Sequence, residues 1–371
     1  MLIFTPPCFI INDMENKELD VSNINTLLQL FGELSKEEKQ KFLVSLSVKV
    51  PQVSTFTPET KEEYLAKLRF PKKLICPHCG NTHIVKNGTH KGQQRYLCKG
   101  CNKTFCVTTN SLLAYTKQDL SVWHKYINCM MNKMPLRQTA RECGISLKTS
   151  FDWRHKILDA LQQMANSVRL DGIIEADETF FRLSFKGNHK KSSFTMPRRS
   201  YKRGVRGNKI KKRGLSKDQV CVPSAVNRDG LSFAKISNLG KPNLMDIRNV
   251  LDKRIEENSV LVTDKNYSYK IFSEINSLDL VQIRAKKRTE GIFNIQHINN
   301  YHGKLKEFIR SRHGVATKYL NNYIVWNNLV NYSKGSLEEK EVIFRDFVNS
   351  VNTYTKCKTL PHRNPIPVLR S

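Results

Sequence analysis

The chain has 371 residues, of which 62 are Lys or Arg and 33 Asp or Glu, giving a formal net charge of +29 at pH 7. That length suits two or three domains with a real apolar core, and the charge calls for a polyanionic partner, nucleic acid ahead of an anionic membrane surface. No apolar run approaches the roughly eighteen residues of a membrane-spanning helix, and the start MLIFTPPCFIIND, broken by Pro6 and Pro7, lacks the basic stretch of an export signal, so an intracellular, reducing setting is expected.

Residues 1–65 show helical apolar spacing (Leu27, Leu28, Leu30, Phe31, Leu34, then Phe42, Leu43, Leu46), which predicts two short helices joined near Ser35. Their role is not legible. A zinc ribbon is expected over 66–110. Cys76 and Cys79 form one C-x2-C knuckle, Cys98 and Cys101 a second, and eighteen residues lie between them. Two such knuckles complete a tetrahedral site, and four sulfur ligands leave no open position, so the zinc is structural. Gly80 and Gly100 stand where tight turns ask for positive φ. Most of the other cysteines (Cys8, Cys106, Cys129, Cys143, Cys221, Cys357) read as buried small hydrophobes, and Cys106 lies close enough to the ribbon to be a spare ligand.

Residues 111–165 carry a first apolar helical pattern (Leu120, Trp123, Tyr126, Ile127, Met130), then a helix from Leu136 to Cys143 ending at Gly144. A further helix is predicted from about Leu147 to Leu161. This outlines a helix-turn-helix, with Lys148, Arg154 and Lys156 on its second helix as candidate DNA contacts.

From residue 168 to 335 the pattern becomes mixed α/β. A short strand is predicted from Gly172 to an acid at its end, Asp177. A hairpin follows over Gln219–Val226 and Leu231–Ile236, then a helix over Leu244–Ile255. A buried strand over Ser259–Asp264 again ends in an acid, and a weaker strand covers Val281–Arg284. Helices from about Ile298 to Ile309 and Lys318 to Val330 complete the region. Within it, residues 182–217 hold fourteen Lys or Arg and no acid, including Arg198, Arg199, Lys202, Arg203, Arg206, Lys211, Lys212 and Arg213. That block reads as a basic insertion whose self-repulsion an anionic partner would relieve. The tail 336–371 is silent.

Asp177 and Asp264, brought together at strand ends, would repel unless divalent cations neutralise them; two ions about 3.5–4 Å apart serve phosphodiester chemistry. Magnesium suits oxygen ligands shared with a phosphate. On a helix beginning near Ile298, Asn299, His302 or Gly303, and Lys306 fall on one face.

Here the chain resembles the insertion-sequence transposases that join an N-terminal zinc ribbon to an RNase-H-like catalytic domain of the Asp-Asp-Glu superfamily. The resemblance rests on the ribbon, on Ala176-Asp-Glu-Thr179, on Val262-Thr-Asp264, and most sharply on Asn299-Asn-Tyr-His-Gly-Lys-Leu-Lys306 followed by Gly314-Val-Ala-Thr-Lys-Tyr-Leu320. It implies a multidomain α+β chain that binds terminal inverted repeats and carries out metal-dependent cleavage and strand transfer of double-stranded DNA. It further implies assembly as a homo-oligomer on that DNA, in the bacterial cytoplasm at the nucleoid and away from membranes. By the same resemblance Asp177 and Asp264 are the first two catalytic metal ligands, holding Mg or Mn. Asn299 stands in the third place, commonly Glu, with Lys306 seven residues on. Glu178 faces the other side of its strand from Asp177, with at most a supporting part. Lys304, Arg310, Arg312 and Lys318 are expected to contact phosphate. The rival reading is a DNA-binding regulator descended from such an enzyme and no longer catalytic.

Overall fold

The computed structural model describes residues 60–90, 92–187, 219–284, 289–331 and 336–367. The helices expected within 1–59 lie outside them. So does the basic stretch from 188 to 217, with Arg198, Arg199, Lys202, Arg203, Arg206, Lys211, Lys212 and Arg213. Residues from Thr60 onward form one compact unit.

Helix α1 (Lys61–Arg69) opens with a capping box: Thr60 Oγ1 accepts from the Glu63 N–H, and Glu63 Oε2 accepts from the Thr60 N–H. A small antiparallel sheet follows, β1 (Ile84–His90), β2 (Gln93–Cys98) and β3 (Thr104–Phe105), in that spatial order. Its core is little more than Cys76, Cys98 and Phe105, with the Tyr96 and Phe105 rings stacked at 5.6 Å. So few apolar groups cannot hold a fold alone, which leaves the cysteines to do it. Gly80 takes the expected positive φ of 76°. Gly100 does not: it is needed for space, since a Cβ there would come 2.5 Å from Asn81 Nδ2, and Asn102 (φ 54°) makes the left-handed turn instead.

Three helices come next: α2 (Leu120–Met131), α3 (Leu136–Glu142) and α4 (Leu147–Ser167). Gly144 (φ 61°) ends α3, and Ser146 Oγ caps α4 by accepting from Thr149 N–H. Helix α4 runs six residues beyond the predicted end at Leu161, because Ile157, Leu158, Ala160 and Leu161 are fully buried and Met164 and Ala165 extend the same apolar face.

The main sheet holds β4 (Ile173–Arg182), β5 (Gln219–Asn227), β6 (Ser232–Ala234), β7 (Val260–Asp264) and β8 (Asp279–Ile283), in the order β6-β5-β4-β7-β8. The first three are antiparallel neighbours, whereas β7 and β8 run parallel to β4. One face packs Ile174, Ala176 and Leu261 on α5 (Leu244–Leu251) and α6 (Tyr267–Ile275). After a small hairpin, β9 (Thr289–Glu290) with β10 (Phe293–Asn294), comes α7 (Gln296–Arg310); α8 (Leu320–Asn331) follows. The opposite sheet face, with Val220, Val222 and Val226, packs against Ile298, Tyr301 and Leu305 of α7 and Leu320 and Ile324 of α8.

The strand expected to close at Asp177 instead continues to Arg182. Its pairing with β5 persists for nine residue pairs, but its pairing with β7 stops at Glu175–Val262. Asp177 therefore lies mid-strand, at the level where the parallel neighbour runs out. The tail also acquires a structure the sequence did not announce. Helix α9 (Leu337–Ser350) buries Phe344 and Val348 completely in the same core as α2 and α4, and Asn349 accepts from Trp123 Nε1 at 3.0 Å.

Candidate catalytic face and zinc centre

The four ribbon cysteines converge, all sulfurs lying within 4.8 Å of one another. Cys76 and Cys101 are 3.8 Å apart, and Cys79 and Cys98 3.6 Å. A tetrahedron with metal–sulfur bonds of about 2.3 Å has edges of about 3.8 Å, so the spacing fits zinc, and none of the four is in a disulfide. Cys106 stays apart, its sulfur 3.1 Å from the Thr108 hydroxyl.

On the main sheet, β-strand parity sets the second site. Glu175, Asp177 and Thr179 point to the α7 side, while Ile174, Ala176 and Glu178 point to the α5–α6 side. Continuing the parallel register from Glu175–Val262 by two residues sets Asp264 beside Asp177, on the same face. Asp264 is exposed; its Oδ1 accepts from Asn266 N–H at 3.1 Å, in the turn that starts α6. Burial pushes the Asp177 carboxyl up to about 6; a hydrogen bond from the Glu178 backbone lowers it, Asp264 raises it, and Lys306 lowers it again. Glu178 rises to about 7 through burial and through both aspartates, and its Oε1 accepts from Asn266 Nδ2 at 3.4 Å. Two carboxyls forced upward beside a third is the electrostatic state that a bound cation relieves.

Helix α7 lies across this face. Asn299 and Lys306 are exposed on it and share a stripe with the buried His302. His302 Nε2 is 2.8 Å from Ser224 Oγ, and Nδ1 is 3.8 Å from Asp177 Oδ2. Burial, with Lys306 close by, holds this imidazole down to about 3, so it is neutral. Ser224 is the cross-strand partner of Asp177, and its hydroxyl also reaches the Asp177 carbonyl at 3.2 Å. Sequence reading placed His302 on the right helix face without giving it a part; Ser224 sent no signal, because only strand register reveals it.

Several expected DNA contacts are elsewhere. Arg154 is only 1% exposed: it donates to Met134 O and Thr139 Oγ1 and stacks on the Trp326 ring at 4.8 Å. Lys156 is buried over Tyr354, and Lys318 is buried with its ammonium on Pro361 O. These three are corrections: Trp326 and Tyr354, from the second half of the chain, cover Arg154 and Lys156 on α4, and the tail carbonyl of Pro361 takes Lys318. Arg312 is half-buried against Phe308 and Trp326. Lys148, Lys304 and Arg310 are exposed, Lys148 in an ion pair with Asp152 at 2.5 Å.

Residues 169–326 match the ISXO2-like transposase domain, and residues 57–104 match the transposase zinc-ribbon domain. Together the two matches cover more than half of the chain. The chain therefore carries an insertion-sequence transposase domain behind a transposase zinc ribbon. Asp177, Asp264, Asn299 and Lys306 all fall inside the transposase-domain match, and the four cysteines inside the ribbon match. A Halobacterium salinarum protein described as an uncharacterized protein in transposable element ISH50 is 28% identical over 140 residues, 37% of this transposase and 47% of that protein. The chain thus spans about half the length of that relative. Among solved structures, a pre-cleavage Mos1 transpososome covers 62% of this chain and 79% of its own at 9% identity. The Mos1 strand transfer complex covers 65% and 82%, also at 9%. The TM-score is 0.20 for each. Among the described residues no helix is long and apolar enough to cross a membrane.

Proposed function

We propose that this transposase binds the terminal inverted repeats of its element as double-stranded DNA, cleaves at their ends and joins them to target DNA, with divalent metal at the Asp177–Asp264 face. The observation that most supports this is the pair of neighbouring-strand aspartates beneath a helix that carries Asn299 and Lys306. The sheet order β6-β5-β4-β7-β8, three antiparallel strands followed by two parallel to the first, supports an RNase-H-like catalytic domain.

Asp177 and Asp264 would hold Mg or Mn, with Asn299 adding a neutral carbonyl oxygen. Such an ion supplies charge that activates an attacking oxygen and stabilises a leaving one. The chain's own part is to aim these ligands. His302, neutral and anchored on Ser224, fixes the side of the face on which Asp177 lies. Lys306 offers its ammonium beside the carboxylates, where a phosphate would sit. Phosphate contact outside the site falls to Lys304 and Arg310 and to the first turn of α4, where Ser146, Leu147 and Lys148 are exposed. A regulator without catalysis would have no use for the strained carboxyls, and no observation favours it.

The test is strand transfer: purified chain, duplex DNA ending in the element's own termini, a plasmid target, and Mg or Mn. Joined product is expected only with metal. Joining of equal yield in EDTA, or none with either metal while the ends are bound, overturns the reading.

A further inference from the structure

We infer that Glu175 is a positioning residue that locks helix α7, and with it Asn299, His302 and Lys306, onto the strand bearing Asp177. The inference rests on the catalytic reading of that face. Glu175 lies two residues before Asp177 and shares its side of the sheet. Its side chain is 1% exposed, yet it is a carboxylate. Such a group survives in a core only when its oxygens are fully engaged. Three donors meet it. Ile298 N–H donates to Oε2 at 3.0 Å, His297 Nδ1 lies 2.7 Å from Oε1, and Arg228 Nε lies 3.4 Å from Oε1.

Ile298 N–H belongs to the first turn of α7, and the residue before that helix, Ile295, makes no side-chain cap bond. Asn294 Oδ1 takes the Gln296 N–H at 3.0 Å, and the Ile298 N–H is satisfied from another element, the central strand. A buried carboxylate at a helix N-terminus satisfies an orphan donor and meets the positive end of the dipole. Arg228 extends the lock: its Nη2 donates to Ile292 O at 3.2 Å, tying down the β9–β10 hairpin that feeds α7. With its oxygens taken, Glu175 is not placed to hold a cation. It acts through the helix, by fixing how far along β4 the Asn299–Lys306 stripe lies. A helix slipped by about 1 Å would move both groups from the aspartates, a displacement that can cost up to about a hundredfold in rate.

Glu175→Ala, Glu175→Gln and His297→Ala would be compared in the full chain. Glu175→Ala is expected to lower the strand-transfer rate at least about tenfold while end-DNA affinity stays within about twofold. Amide exchange at Ile298 and Asn299 should rise, with the other helices unchanged. Glu175→Gln, which keeps the shape and an acceptor for Ile298 N–H, should recover most of the rate. Should Glu175→Ala fail to fold, His297→Ala, at a half-exposed position, is expected to show the same changes more weakly. Wild-type rate and exchange in both Ala variants overturn the inference, as does a loss of rate that merely follows weaker DNA binding and that Gln leaves uncorrected. If wild type itself joins no DNA, the catalytic reading has failed, while amide exchange still decides whether Glu175 docks the helix.

Discussion

His155 is a titratable residue carried fully into the core. Its ring lies 4.5 Å from that of Phe151 and 4.1 Å from that of Tyr319, and Asn322 Nδ2 donates to its Nδ1 at 3.4 Å. Burial first, then Arg363, Arg154 and Lys318, push its pKa down to about 3. A folded value below the ordinary 6.5 means stability fully present above pH 6.5 and lost as pH falls toward 3. His155→Phe should therefore flatten the acid limb of unfolding, removing about 3 kcal/mol of the loss between pH 7 and 4. Asp177 and Glu178, shifted upward, lose their contribution as pH rises in an overlapping window, so the comparison is the difference between variant and wild type in urea titrations. An unchanged acid limb would contradict the buried, neutral histidine. Arg154 is a second case: the basic residues of α4 look solvent-facing locally, and only Trp326, far along the chain, takes Arg154 inside.

At the scale of elements, the ribbon was the most legible part, since two C-x2-C knuckles specify a site by spacing alone. Its few core residues make the metal decisive. Chelation, or Cys98→Ser, should unfold this module, since structural zinc in such units supplies on the order of 10 kcal/mol. Zinc analysis and circular dichroism would follow it, and a ribbon folded without zinc contradicts the assignment. Strand β4 was legible in place and less so in length. Thr179 to Arg182 extend it because β5 pairs with them through Val222 to Gln219, a partner some forty residues away. Glu175, inside that strand, gave no signal for the same reason: its partners lie on α7 and on the β5–β6 turn.

For the whole molecule, the alternation of acids and apolar runs gave the order of strands, and the Asn299–Lys306 block gave the helix that crosses them. The tail escaped because Phe344 and Val348 join a core built from α2, α4 and α8, elements whose sequences do not mention it. The central claim is that Asp177 and Asp264 hold a divalent ion for DNA joining, and a change of ligand at the exposed strand end tests it most directly. Asp264→Cys should leave folding and end binding intact, abolish strand transfer in Mg, and regain part of it in Mn, whose affinity for a soft thiolate is greater. Full activity in Mg, or equal inactivity in both metals with DNA still bound, would contradict the account.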